Sequence, residues 1–265
     1  MRVLVYDCSA GISGDMNLAA LIDLGADRDI LKRELSRLNV HGEWKLECRR
    51  AGQAGIYGTR VDVLAQEHGH SGHSHEHHHR TMADIRRIIT ESGLPAAVQK
   101  TALSIFSLLA EAEARVHGTT PDQVHFHEVG AVDSIIDIVG AAICLDLLRA
   151  DAVFTGPVEL GGGRVTCQHG LMPVPAPATA QLARHFQSTL NGTPHEATTP
   201  TGAAYIAAVA QPAPSPLSGR IAAAGYGIGH REGLPLPNIL RVMLVETEEQ
   251  DTATERLTEL CANID

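Results

Sequence analysis

Aromatic residues are scarce in this chain: four Tyr, four Phe and one Trp make up 3% of 265 residues. A core must therefore be assembled from Ala, Val, Ile and Leu, and there is no basic, aromatic-studded tract of the kind that grips single-stranded nucleic acid. Positive charge is also short. With 21 Lys and Arg against 31 Asp and Glu, the net charge is −10 with histidine neutral. That balance argues against a nucleic-acid backbone as partner and is compatible with attracting cations. The five cysteines, Cys8, Cys48, Cys144, Cys167 and Cys261, are odd in number, scattered, and include no C-x-x-C pair. Neither a zinc ribbon nor a disulfide framework is indicated. No apolar run is long enough to span a bilayer. Arg2 to Tyr6 reads as a strand and is followed by no apolar h-region, so no signal peptide is read there. The expectation is a cytoplasmic protein with no membrane partner.

What the chain does have is histidine. Seven of the twelve residues from His68 to His79 are histidines: His68, His70, His73, His75, His77, His78 and His79. The tract is internal, so it is not a terminal tag. Neutral imidazole suits Ni(II), Cu(II) and Zn(II), and the interspersed Gly and Ser let several rings converge on one ion. A solvated low-complexity loop without ligand is the plain alternative; the density favours metal capture.

With 44% hydrophobic and 20% charged residues the composition is ordinary for a soluble globular chain. The pattern predicts a mixed α/β fold: a mixed sheet with packed helices and a flexible His-rich loop. Strands are expected at Val3 to Asp7, Trp44 to Arg49, Ile56 to Leu64, Val153 to Leu160, Arg164 to Cys167, Arg220 to Ile228 and Asn238 to Val245. Helices are expected at Met16 to Leu24, Asp27 to Leu38, from a Thr81 cap to Ile89, from Pro95 to a stop at Gly118, at Ala131 to Arg149, Ala178 to Arg184 and Gly202 to Ala210. Val98, Ala102, Ile105, Leu109, Ala112 and Val116 recur at steps of four and three and predict a buried stripe.

Three segments carry candidate chemistry. His125 and His127 alternate in His125-Phe126-His127-Glu128, while Asp133 and Asp137 share a face of the following helix four residues apart. Two imidazoles and up to three carboxylates there could hold a divalent cation or a metal-bound phosphate. Dipole complementation alone would explain Asp133, but Asp137 lies in the second turn, where that effect has faded. Thr199-Pro200-Thr201-Gly202 opens a helix with free amides and hydroxyls, a phosphate site by geometry and an ordinary cap by habit. Ser13, Gly14 and Asp15 end a glycine-punctuated strand-to-helix turn that lacks the P-loop lysine and the G-x-G-x-x-G spacing. Cys167 and His169 pair a thiol with an imidazole, whereas Cys8 reads as a buried small residue.

Asp7 to Met16 (DCSAGISGDM), the His-rich tract, His125 to Ser134 (HFHEVGAVDS), Cys167 to Thr179 (CQHGLMPVPAPAT), Thr199 to Ala203 (TPTGA) and the stretch from Gly225-Tyr226-Gly227 to Pro237-Asn238 together resemble the LarC nickel-insertion proteins. The likeness runs in register over nearly the whole chain, apart from Ala197, where a larger apolar residue is commoner. It implies a nickel chelatase of the lyase class that inserts Ni(II) into pyridinium-3,5-bisthiocarboxylic acid mononucleotide, completing the nickel pincer cofactor of lactate racemase, with CTP and Mn(II) or Mg(II). It also implies a core over residues 1–245 with a His-rich loop at 66–80, then an acidic linker and the start of a C-terminal domain at 246–265 that carries the nucleotide site. The C-terminal half and the lactate racemase apoenzyme are implied partners, and homo-oligomerisation stays open. Under this reading Glu128, Asp133 and Asp137 are catalytic. Ser13, Gly14, Asp15, Thr199, Thr201 and Gly202 hold the ligand, and the tract with His125, His127 and His169 handles metal. The rivals are a non-catalytic nickel or zinc carrier and a metal-dependent phosphohydrolase.

Overall fold

The computed structural model describes residues 1–40, 43–66, 80–126, 130–167 and 170–247; His68 to His79, His127, Glu128, His169 and the tail beyond Thr247 lie outside them, and of His125 only the backbone is described. In chain order the elements are β1 (Arg2–Asp7), α1 (Gly14–Asp23), α2 (Arg28–Leu35), β2 (Glu43–Gln53), β3 (Ile56–Gln66), β4 (Arg80–Thr81), α3 (Met82–Thr90), α4 (Ala96–His117), β5 (His125–Phe126) and α5 (Val132–Leu148). There follow β6 (Ala152–Thr155), β7 (Val158–Glu159), β8 (Arg164–Cys167), β9 (Gly170–Pro173), α6 (Pro177–Leu182), β10 (Ser188–Thr189), α7 (Pro200–Val209), β11 (Gln211–Pro212), β12 (Arg220–Ile228) and β13 (Ile239–Glu246).

Seven strands form one mixed sheet in the order β11-β6-β1-β13-β12-β3-β2. β1 runs parallel to β6 and antiparallel to β13, and β2 and β3 are an antiparallel hairpin. That hairpin turns at Ala54 and Gly55, both with positive φ (49° and 81°), the geometry that matches strand twist. Helix α1 lies on the sheet over β12, β13 and β3, and α5 packs on its other side. Alanine and glycine make this close approach possible. A Cβ on Gly227 would sit 2.0 Å from the Met16 carbonyl oxygen, and one on Gly225 2.3 Å from that of Ala20. Between α1 and α4, α5 buries Ile135, Ile136, Ile138, Val139, Ala142 and Ile143, so its apolar surface runs nearly all round.

The mixed α/β class holds, with several local corrections. The strand expected from Val153 to Leu160 is broken at Gly156-Pro157 into β6 and β7, because proline has no ladder donor, and β7 pairs with β10 outside the main sheet. Pro95 caps α4 and does not begin it. The α4 stripe is buried from Val98 to Ala112 but ends at Val116, 39% exposed, which faces a cavity. Thr81 caps α3 in a reciprocal capping box with Asp84. No helix among the described residues is long and apolar enough to cross a membrane.

Candidate functional site

The first turns of α1, α5, α6 and α7 all open onto one cavity of about 550 Å³. Ser13, Gly14 and Asp15 reach it from the β1–α1 turn, Asp133, Ser134 and Asp137 from α5, and Thr199, Pro200 and Thr201 from the start of α7. The last turn of α4 adds Glu113, Val116 and His117, the β8–β9 hairpin adds Val165, Thr166, Cys167 and Met172, and Glu196 closes the wall before α7. Parallel bridging of Ile12 to Thr198 brings the α1 and α7 starts side by side. Gly202 seats that contact, since a Cβ there would lie 2.2 Å from the Ile12 carbonyl oxygen.

These helix starts differ in how their amides are satisfied. Neither Ser13 nor Ala131 caps its helix with a side chain, and the Ser13 hydroxyl instead donates to Asp15 Oδ1. Thr199 Oγ1 accepts from the Gly202 amide at 3.3 Å, so Gly202 serves the cap and is not part of the cavity lining, while Thr201 is. Orphan amides at helix N-termini favour anions, whether phosphate or carboxylate.

Asp137 is the least comfortable group in the wall. Its Oδ1 is shielded from solvent and has no hydrogen-bond partner among the described residues. On its other side Gly14 leaves just enough room: a Cβ there would lie 2.6 Å from Asp137 Oδ2 and 3.0 Å from Thr201 Cγ2. Burial first, then the nearby carboxylates of Asp15 and Asp133, hold the Asp137 carboxyl well above the usual carboxylate range. Asp133 itself is exposed and accepts from the Ser134 amide at 2.7 Å.

Sequence reasoning did not single out Glu113, His117, Glu196 or His230. Glu113 and His117 form an i,i+4 pair at 3.3 Å, and their spacing beside the Gly118 stop was a legible signal. His230 Nε2 lies 3.4 Å from Asp15 Oδ2 and 3.3 Å from Asp62 Oδ1, a contact between distant segments that spacing cannot announce. The Cys167 thiol lines the cavity and donates to the Gly170 carbonyl at 3.6 Å, whereas burial pushes the Cys8 thiol up to about 12. Among the described residues no group of three His, Cys, Asp or Glu is placed to hold a metal. The expected cluster of His125, His127, Glu128, Asp133 and His169 is mostly outside the described residues. Backbone pairing does set β5, with His125 opposite Thr81, against β4, where the chain resumes after the histidine tract. Arg80 ties the same place to α5 by donating to the Gly130 carbonyl at 2.7 Å.

The chain matches a family model described as nickel insertion protein over residues 4–265. It is 79% identical, over its full length, to a pyridinium-3,5-bisthiocarboxylic acid mononucleotide nickel insertion protein of Akkermansia muciniphila, covering 65% of that relative. It is 48% identical to a protein of the same description from Clostridium kluyveri and 46% identical to a putative nickel insertion protein of Wolinella succinogenes, each over the whole of this chain, covering 67% and 65% of those relatives. The chain thus spans about two thirds of the length of these curated relatives. No solved structure gives a significant match. The match over residues 4–265, and identities near one half or above along the whole chain, show that it belongs to the nickel insertion protein family.

Proposed function

We propose that this chain takes part in inserting Ni(II) into pyridinium-3,5-bisthiocarboxylic acid mononucleotide, with the cavity as the seat of the mononucleotide. The observation that carries this reading is the convergence of the α1, α5 and α7 starts on one cavity whose wall holds Asp137, with its Oδ1 unpartnered among the described residues. Helix N-termini supply fixed partial positive charge to phosphate and thiocarboxylate oxygens. Ser13 and Thr201 add hydroxyls at the two adjoining starts. Acidic ligands give up protons when a metal binds, and carboxylates beside the metal's entry point can receive them. Asp133, with Glu128, is assigned that role, while Asp137, whose burial favours the protonated form, is the third catalytic candidate of this wall.

Nickel is the cargo. In this reading His68 to His79 collect it, and His125, His127 and His169 pass it towards the cavity. The preference of nickel for soft sulfur then favours transfer to the substrate. The product is the nickel pincer cofactor of lactate racemase, made in the cytoplasm in a CTP-dependent reaction. The cavity offers no basic cradle for a triphosphate among its described lining residues. The Gly11 to Asp15 turn carries no lysine, and no Lys or Arg is among the described residues lining the cavity. CTP and its Mn(II) or Mg(II) are therefore assigned to no residue here, and no step is derived through them. The third or so of the longer relatives that this chain does not cover, read here as their C-terminal part, is the proposed partner for that part.

The test is to incubate the chain with that remaining part of a longer relative, CTP, Mg(II), Ni(II) and the bisthiocarboxylic mononucleotide, and to look for a nickelated nucleotide by mass spectrometry. A nickel-containing nucleotide that activates apo lactate racemase is the expected product. Nickel bound to protein with no nickelated nucleotide indicates a carrier, and phosphate release without a nickel requirement indicates a phosphohydrolase.

A further inference from the structure

A phosphate monoester carries close to two negative charges at neutral pH. The cavity lining nevertheless holds Asp15, Glu113, Asp133, Asp137 and Glu196, and among the described residues no Lys or Arg. Amide dipoles alone face considerable opposing charge, so a cation is needed from outside the lining. The loop between β12 and β13 sets a guanidinium, Arg231, and an imidazole, His230, against two of these acids. His230 Nε2 reaches Asp15 Oδ2 at 3.4 Å, at the start of α1, and Arg231 reaches Glu196 Oε2 at 3.9 Å, just ahead of α7. Adjacent in sequence, they straddle the two helix starts that frame the anion end of the cavity.

Their backbone is held before any ligand arrives. The buried Arg60 guanidinium donates to the Gly229 carbonyl at 2.6 Å and the Ile228 carbonyl at 3.3 Å. The Gln53 amide donates to the carbonyls of Gly229 and Arg231 at 2.9 Å each, and its oxygen accepts from the Asn238 amide at 3.0 Å. The β2–β3 hairpin thus fixes the loop while the two side chains stay half-exposed, 50% for His230 and 41% for Arg231. Their present ion pairs are long and solvent-screened, which makes them weak. Charge-assisted bonds from guanidinium to phosphate are shorter and stronger. Arg231 also faces His195, and His230 also faces Asp62, which Arg49 holds from β2 at 3.4 Å.

We propose that Arg231, assisted by His230, is the phosphate-recognition residue of this cavity, exchanging Glu196 and Asp15 for the ligand's phosphate and so selecting a mononucleotide over its dephosphorylated nucleoside. The proposal rests on the reading of the cavity as a mononucleotide site. Nicotinic acid mononucleotide and nicotinic acid riboside, which differ only in the phosphate, are the probes, titrated into the 265-residue chain by calorimetry at low salt. The wild type is expected to bind the mononucleotide at least about tenfold more tightly than the riboside. Arg231→Gln brings that ratio towards one without changing riboside affinity, Arg231→Lys keeps part of it, and His230→Gln lowers it a few-fold. A phosphate preference that survives in the Arg231→Gln, His230→Gln double variant overturns the proposal. So does a variant that loses both ligands equally, or a wild type that binds both ligands alike; each of these leaves the cavity reading standing. Failure of the wild type to bind either probe overturns the cavity reading and this proposal with it.

Discussion

Asp137 is where local chemistry and burial disagree most. Because burial raises its folded-state pKa above the unfolded value, the folded protein keeps this proton to a higher pH than the unfolded chain does. Stability from this group is complete below the ordinary carboxylate range and is lost as pH climbs towards the raised value, at no more than about 1.4 kcal/mol per pH unit. Asp137→Asn removes that dependence. The variant is expected to melt at a higher temperature than wild type at pH 7 to 8, with the difference vanishing near pH 4, as read by thermal melts across pH. A variant that melts below wild type at pH 8 would contradict this account. Next to it, Gly14→Ala would force a methyl to within 2.6 Å of Asp137 Oδ2 and 3.0 Å of Thr201 Cγ2. Overpacking there is expected to lower stability by about 1–3 kcal/mol in urea denaturation and to weaken mononucleotide binding. At this scale the sequence named Ser13, Asp15, Asp133, Asp137, Thr199 and Thr201 from three separate segments, and the fold sets all of them on one wall. Glu196 and His230 escaped because each acquires its meaning from a partner loop that proximity in sequence does not reveal, whereas the Glu113–His117 pair was legible in its spacing.

Among the elements, α1 carries the most constraint, pressed between sheet and α5. Gly227→Ala would place a methyl 2.0 Å from the Met16 carbonyl oxygen, a backbone atom that cannot swing aside. The expected loss is about 3 kcal/mol in urea denaturation, with the binding cavity displaced because Gly14 and Asp15 open the same helix. By contrast, Thr81→Ala removes one half of the α3 capping box and is expected to lower stability by only about 1 kcal/mol, without affecting the cavity. Most helices were legible from periodicity and caps, within a residue or two. The exception in the strands, the break at Gly156-Pro157, shows apolar content outvoting a proline that the ladder cannot accommodate.

For the whole molecule, the histidine tract and the packed core are expected to separate. Replacing His68 to His79 by a Gly/Ser linker of equal length should lower bound nickel, measured by ICP-MS, while leaving the melting temperature unchanged. An unaltered nickel content would show that the tract is not the collector. The described core buries aliphatic residues from Leu4 to Leu244 in one continuous cluster.

By itself, the sequence determined the alphabet of this protein: an aliphatic core, helices with readable starts, a run of imidazoles, and acids and hydroxyls set at helix N-termini. Those are short-range properties, set by side-chain chemistry and by spacings of three or four residues. Tertiary structure alone decided that four helix starts share a cavity, that Asp137 Oδ1 has no partner there among the described residues, and that His230 and Arg231 reach two of its lining acids. The physical reason is distance along the chain. Asp15 and His230, or Glu196 and Arg231, meet only after the sheet has brought β12 beside β13 and α1 onto both, and no local pattern encodes that juxtaposition.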